Sequence, residues 1–243
     1  MNETAPISTD RRRRVAFYGG SFDPVHRGHL AIGFALLEQF KLDEFVFLPA
    51  FHAPHKKRNK PTSAYDRYAM LCLVTENEPH ITVSKMEIEM PERPYSVETL
   101  ATLNTELPDT DIFFIMGADS WMDIMTWREW EKVLSMTNHI VVTRPGYLVT
   151  NEHVTDEIRS RIVDFRKDIP AKPQSCRDEK AETRSVENAL STGERRSIFL
   201  TDAVNFDISA TEIRQKIRDC DASWHNDVPV EVANYIEKYQ IYN

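Results

Sequence analysis

One stretch holds the residues best placed to do chemistry. It reads Gly19-Gly20-Ser21-Phe22-Asp23-Pro24-Val25-His26-Arg27-Gly28-His29. The chain has only seven glycines, and three of them fall in these eleven residues. Glycine lets a backbone approach a phosphate with no Cβ in the way. The segment follows a short apolar run, Val15 to Tyr18, and leads into a helical pattern from Gly28. A strand end opening onto a helix start offers unpaired N–H groups and a positive dipole end, both suited to an anion. His26 and His29 lie three apart, a spacing that lets both rings face one pocket and donate to phosphate oxygens. The alternative is a plain strand–turn–helix connection with surface histidines. The combination of glycines, histidines and placement favours phosphate binding. The segment is neither GxGxxG nor a Walker A loop, because it has no Gly-Lys-Ser/Thr ending.

A second segment is Ile208-Ser209-Ala210-Thr211-Glu212-Ile213-Arg214. Ser209 and Glu212 have capping-box spacing, and Ile208 and Ile213 have staple spacing. Such a helix start needs no function to exist. A helix N-terminus carrying Ser, Thr and then Arg214 within about one turn also makes a second anion site.

These segments need elements to hold them. Val15–Tyr18, Glu44–Leu48, Ile81–Met90, Ile112–Met116, Ile140–Thr143 and Ile198–Leu200 read as strands. Helical patterns run from Gly28 (Leu30, Phe34 and Leu37 on one face, Ile32 and Leu36 beside it), from Ser63 to about Thr75, and from Ser96 to Leu107. Thr126 and Glu129 suggest a capped helix start, and two last helices begin at Ser209 and Pro229. Alternation of this kind predicts an α/β fold, a parallel sheet with helices on both faces. Residues 151 to 170 suggest an amphipathic helix built on Val154, Ile158, Ile162 and Phe165. Residues 171 to 197 hold no aromatic residue and few large apolar ones, which predicts a flexible insertion. Residues 1–13 read as a polar and basic leader, with Arg11 to Arg14 as a solvated tail before the first strand. Residues 14–243 then form one domain.

Composition narrows the function classes. The net charge is −8, so the chain has no general attraction for nucleic acid. No apolar run is long enough to span a bilayer, and no apolar stretch follows the arginines as a signal peptide requires. Cys72, Cys176 and Cys220 are far apart with no CxxC, which suits a reducing cytosol and a cytoplasmic protein.

The two anion-binding segments together resemble a known family. The first resembles the GGxFDPxHxGH motif of bacterial nicotinate-mononucleotide adenylyltransferases. The second resembles the ISxTxxR motif of the wider nucleotidyltransferase superfamily. Landmarks of similar order and spacing lie between them: Ala53-Pro54-His55-Lys56, Pro94-Tyr95-Ser96 with Thr99-Leu100, Gly117-Ala118-Asp119-Ser120 with Trp127, and Arg144-Pro145-Gly146. The closing Val228-Pro229, Tyr235-Ile236 and Ile241-Tyr242 match as well. The chain departs from the pattern with Ser96 for the usual Thr, Ala53 for a common Pro, the long 171–197 stretch and the arginine leader.

The resemblance implies a Rossmann-like, doubly wound sheet. It also implies adenylyl transfer from ATP to nicotinate mononucleotide in NAD biosynthesis, with nicotinate adenine dinucleotide and pyrophosphate as products. The implied catalytic residues are His26, His29 and Arg214. ATP is expected to meet Gly19, Gly20, Ser21, Phe22, His26, His29, Gly117, Asp119, Ile208, Ser209, Thr211 and Arg214. The acceptor is expected to meet Lys56, Tyr95, Ser96, Trp127 and Arg144. Mg2+ is expected to arrive on the ATP phosphates, with no dedicated protein cage. Rival readings are an adenylyltransferase acting on nicotinamide mononucleotide or phosphopantetheine, a class I aminoacyl-tRNA synthetase and a non-catalytic nucleotide sensor. Chain length and the Gly117–Trp127 segment disfavour the phosphopantetheine branch. Size, acidic charge and the missing KMSKS-like lysine motif disfavour the synthetase. Intact His26, His29 and Arg214 disfavour the sensor.

Overall fold

The structure is a computed structural model and describes residues 11–51, 62–90, 94–143, 149–166, 186–191, 196–204 and 208–242. Among these, seven strands form one sheet: β1 (Arg13–Gly20), β2 (Glu44–Pro49), β3 (Ile81–Val83), β4 (Thr110–Gly117), β5 (Asn138–Val142), β6 (Ile162–Asp164) and β7 (Ile198–Thr201). Their spatial order is β3-β2-β1-β4-β5-β7-β6, and each neighbouring pair is parallel. The strand order reverses between β1 and β4. Open α/β sheets leave a crevice at such a point, outside the carboxyl ends of the strands.

The helices are α1 (Arg27–Gln39), α2 (Ala64–Thr75), α3 (Met86–Glu89), α4 (Ser96–Glu106), α5 (Ala118–Met122), α6 (Trp130–Met136), α7 (Asp156–Ser160), α8 (Val186–Ser191), α9 (Ala210–Arg218) and α10 (Val230–Tyr239). Alternation along the strands sorts them onto two faces. Phe113 and Ile115 of β4 join one core with Leu36 of α1, Met70 and Leu71 of α2, Ile213 of α9 and Ile236 of α10. Ile112, Phe114 and Met116 join the other, with Leu100 of α4, Trp121 of α5 and Val133 of α6. The sheet is thus doubly wound, as the alternating pattern and the family resemblance imply.

Several local expectations give way to tertiary structure. Residues 81–90 are not one strand: β3 ends at Val83 and α3 follows, with Ile88 buried. The helix expected from Thr126 begins instead at Trp130. Thr126 ends a 3-10 turn and donates to the Asp123 carbonyl, and Glu129 takes a left-handed φ of 51° that separates turn from helix. Residues 151–170 do not make a long helix. The described part is α7 followed by β6, because Val163 finds a backbone partner in Phe199 that the local pattern cannot show. On α1 the buried side chain is Leu36, and Phe34 points outward at 45% exposure. Ser63 does cap α2, accepting from the Tyr65 N–H at 3.3 Å.

The arginine run is a tail only in part: Arg11, Arg12 and Arg13 are exposed, but the run enters the first strand and ends buried. Arg13 and Arg14 belong to β1, and Asp43 and Glu44 at the start of β2 supply anions beside them. Arg11 pairs with both Asp43 oxygens at 2.8 and 2.9 Å, and Arg13 pairs with Glu44 at 2.5 Å. Arg14 is buried and donates to the Phe40 carbonyl at 3.0 Å. Inside the stretch expected to be an insertion, α8 packs Val186 into the core, and Lys41 reaches Glu187 at 2.8 Å.

The most consequential packing feature is a fully buried cation on α2. Arg67 sits between Ala64, Met70 and Leu71, all buried. Its guanidinium donates to the carbonyls of Ser21 (2.5 Å), Ala50 (2.6 Å), Phe51 (3.1 Å) and Thr62 (3.1 Å). Four loop carbonyls are thereby satisfied by one side chain. Arg67→Met keeps much of the volume and removes every donor. It is expected to cost about 3 kcal/mol or more of stability, the usual penalty for buried polar groups left unpaired. Urea unfolding measures this; an unchanged midpoint would show that the four carbonyls find other donors.

Candidate active site

The glycine- and histidine-bearing segment Gly19–His29 starts at the carboxyl end of β1, beside the switch point. Gly20 is required there by packing, since a Cβ on it would come within 2.8 Å of the Phe22 ring. Phe22 is buried with a left-handed φ of 47°, a backbone state that costs a bulky residue about 1–3 kcal/mol. Its ring meets Phe47, Tyr18 and His29 edge-on, with centroids at 5.2, 5.3 and 5.0 Å. Packing of this kind holds the loop in its strained shape.

His26 is the N-cap of α1 and is buried; His29, in the first turn, is half-buried. The two rings stack with centroids 3.6 Å apart. The His26 backbone N–H donates to His29 Nδ1 at 3.2 Å. A neutral imidazole that accepts at Nδ1 carries its proton on Nε2, so the loop itself sets the tautomer and makes Nε2–H the donor end of His29.

The second segment adjoins the first. Arg214, half-buried in the first turns of α9, donates to the Asp23 carbonyl at 2.5 Å and to Thr211 Oγ1 at 3.2 Å. Ser209 is the N-cap of α9, yet its side chain makes no capping bond, so the expected capping box is not formed. Ile213 is buried in the core, and Ile208 packs against that core partly buried. The Asp23 carboxylate accepts from the Tyr242 hydroxyl at 2.7 Å and from the Thr62 N–H at 3.4 Å. Burial, and then the neighbouring Asp23 charge, push the Tyr242 hydroxyl well above the ordinary phenol range.

A cavity of about 230 Å³ opens against Gly19 and Gly20. Across it lie Tyr95 and Ser96 at the start of α4, Ser120 of α5, and Trp127 and Arg128 after the 3-10 turn. Gly117 ends β4 next to the lining residue Met116, and a Cβ there would meet nothing within 4 Å. Asp119 lies exposed in the first turn of α5. Lys56 and Arg144 lie outside the described residues. Among the expected site residues, Gly19, Gly20, Tyr95, Ser96 and Trp127 therefore share one cavity. Ser21, Phe22, His26 and His29 are not among its lining residues; they follow Gly20 along the same loop, and Arg214, with Thr211, is tied to that loop through Asp23.

Sequence reasoning missed Arg67, Glu87 and Arg128. Glu87 lines the cavity and accepts from the Thr99 hydroxyl at 2.9 Å; burial pushes its carboxyl above the usual range. Arg67 carries a readable signal, a charge on the apolar stripe of α2 between Ala64 and Met70. Arg128 carries none, because a lone arginine after a tryptophan reads as surface. Among the described residues no three His, Cys, Asp or Glu side chains converge as metal ligands, and no helix is long and apolar enough to cross a membrane.

Comparison with known proteins gives the chain its relatives. Residues 17–216 match the family model described as cytidylyltransferase-like. A curated protein of Corynebacterium glutamicum, "Probable nicotinate-nucleotide adenylyltransferase", is 36% identical over 72% of this chain and 81% of its own length. A protein of the same name from Desulfatibacillum aliphaticivorans is 33% identical over 94% of this chain and 99% of its own. The solved Plasmodium falciparum nicotinic acid mononucleotide adenylyltransferase complexed with NaAD shares the fold. It has a TM-score of 0.63 at 18% identity, over 95% of this chain and 97% of that one. With the family model covering most of its length and a 33% identical relative matched nearly end to end, the chain belongs to the cytidylyltransferase-like family, alongside these adenylyltransferases.

Proposed function

We propose that this chain transfers the adenylyl group of ATP to nicotinate mononucleotide, releasing pyrophosphate and forming nicotinate adenine dinucleotide. The observation that carries the reading is the shared cavity, where the phosphate-loop glycines Gly19 and Gly20 face Tyr95, Ser96 and Trp127. A phosphate group and an aromatic base are thus offered neighbouring walls. The names of the curated relatives support the same reaction.

In the step itself an oxygen of the acceptor 5′-phosphate forms a bond to the α-phosphorus of ATP. The bond from that phosphorus to the bridging β-phosphate oxygen breaks, and pyrophosphate leaves with the electron pair. The nucleophile is already an anion near neutral pH, so no general base is required. The residues supply position and charge neutralisation. His29, with its proton set on Nε2, donates to the α-phosphate as negative charge shifts there, and His26 supports it through stacking and its backbone N–H. Arg214, Ser209 and Thr211 hold the β- and γ-phosphates, and Ile208 leads the chain to them. Gly117 leaves open space for the nucleoside, and Asp119 accepts from ribose hydroxyls. Magnesium enters as MgATP, part of the substrate. Lys56 and Arg144 remain candidates for acceptor phosphate or carboxylate. The acidic chain charge and dispersed cysteines suit a cytosolic enzyme of small molecules with no nucleic-acid partner.

Removing one preorganised donor to developing charge costs about a hundredfold to a thousandfold in rate. His29→Ala is therefore expected to lower kcat by about that factor while the fold remains intact; near-normal turnover in a folded variant refutes the role. Arg214→Lys keeps the charge but loses the planar fork. A rise of about tenfold or more in the ATP KM, or an equal fall in kcat, is expected from the loss of a charge-assisted bond. Unchanged ATP kinetics would make Arg214 a purely structural tie to Asp23. The acceptor is tested by the ratio of kcat/KM for nicotinate and nicotinamide mononucleotides with MgATP. The helix start at Ser96 favours an anion over a neutral amide, so the ratio is expected to favour nicotinate. A ratio near one, or favouring the amide, overturns the acceptor and leaves adenylyl transfer standing.

A further inference from the structure

Among the described residues, one cationic side chain lines the cavity: Arg128. Its guanidinium lies over the face of the Tyr95 ring, 4.8 Å from the centroid. Its ion pairs are loose. Nη1 is 3.7 Å from Glu98, Nε is 4.0 Å from Glu129, and all three side chains are about half exposed. Pairs of this length and exposure contribute little. Glu98 is moreover committed elsewhere, accepting from the Tyr95 N–H at 2.8 Å at the start of α4. The guanidinium is thus held near the cavity by a ring face and weak pairs, and it keeps a donor fork for a stronger ligand.

The ligand that suits such a fork is a planar carboxylate, which takes two parallel N–H bonds from guanidinium. Tyr95 beneath it offers a face for an aromatic ring, and Trp127 lines the same space. The first amides of α4, at Ser96 and Val97, precede any intrahelical acceptor and add dipole stabilisation for an anion beside Ser96. The cavity's carboxyl group, Glu87, is engaged by Thr99 and stands on α3. An aromatic carboxamide of the same shape fits poorly, because its NH2 group presents donors to the donors of Arg128. A site built on hydrogen bonding rejects the analogue that cannot complete the bonds.

We propose that Arg128 is the specificity-determining residue of the acceptor site, its guanidinium gripping the ring carboxylate and so separating a pyridine carboxylate mononucleotide from its carboxamide counterpart. This rests on the acceptor reading above and assigns its selectivity to one side chain. The binding event exchanges two loose exposed ion pairs for one paired, partly desolvated contact. The gain therefore falls on acceptor affinity and not on the adenylyl-transfer step.

The test compares the wild-type chain with Arg128→Ala and Arg128→Lys, using MgATP and each mononucleotide. A hydrogen-bonded charge pair removed from a binding site costs about tenfold to a hundredfold in affinity. Arg128→Ala is expected to lower kcat/KM for nicotinate mononucleotide by about that factor, through KM. The value for nicotinamide mononucleotide and the ATP KM should move by less than about twofold on the same scale. Arg128→Lys should recover part of the nicotinate activity, since the charge remains and the fork is lost. Equal losses for both acceptors, or no loss for either, overturn the proposal. The wild-type ratio is read in the same experiment: a wild-type chain without nicotinate preference removes the acceptor reading, whereas a selective wild type with an equally selective Arg128→Ala removes only the role of Arg128.

Discussion

A buried guanidinium with no carboxylate of its own would be ruinous in an apolar core. Arg67 is tolerated because four main-chain carbonyls converge on it. Burial lowers its pKa from the usual arginine value, and the nearby Asp23 charge acts the other way. The exchange works in both directions. The carbonyls of Ser21, Ala50, Phe51 and Thr62 sit in irregular backbone that cannot satisfy itself through a ladder or a helix, and Arg67 is the donor they share. The loop after β1, the exit from β2 and the entry to α2 are therefore one cooperative unit. Any shape that the loop offers a nucleotide depends on that cation staying in place.

From this unit the order extends to the chemistry. Ser21 is held by Arg67, so the next residue, Phe22, is carried into its strained left-handed state and packed over Gly20. Phe22 in turn walls one side of His29. The His26 ring stacks on a face of His29, and the His26 backbone N–H occupies the in-plane Nδ1. A histidine on a mobile loop would sample both tautomers and many rotamers, and would lose that freedom only on meeting substrate. Here the cost is met during folding, which is what preorganisation means for the donor role proposed for His29. Loop strain and catalytic competence are two descriptions of the same packing.

The residues visible in the sequence are those whose chemistry is local. The glycines and histidines of the first motif, the strand runs of β1, β2, β4, β5 and β7, and the helix from Ser96 all announce themselves within about a dozen positions. What stayed hidden depends on partners far away in the chain. β6 is a three-residue edge strand that exists because β7 pairs with it, so the segment around it reads as a helix. The arginine run reads as a tail until Asp43 and Glu44, about thirty positions on, come alongside. Ser209 and Glu212 have capping spacing, but Ser209 makes no capping bond. Thr211 is held by Arg214, which also reaches across to Asp23. Arg128 enters the cavity only because a left-handed Glu129 breaks the chain next to it.

The tie between Arg214 and the phosphate loop has a further consequence for the order of events. Arg214 donates to a neutral carbonyl, that of Asp23. A phosphate oxygen is the better acceptor, since charge-assisted hydrogen bonds are roughly twice as strong as neutral ones. On the proposed reading, a triphosphate therefore draws Arg214 from Asp23 at little cost, whereas a neutral ligand does not. Releasing the carbonyl does not free the loop. The Asp23 carboxylate keeps its bonds to Tyr242 and to the Thr62 N–H, and Thr62 is itself anchored by Arg67. The loop thus has two holds: one that exchanges with substrate, through α9, and one that does not, through α2 and the last turn of the chain. On the proposed reading, a site built this way holds its cation in position and yields it to an anion, while the glycines and histidines assigned to the α-phosphate stay where folding put them.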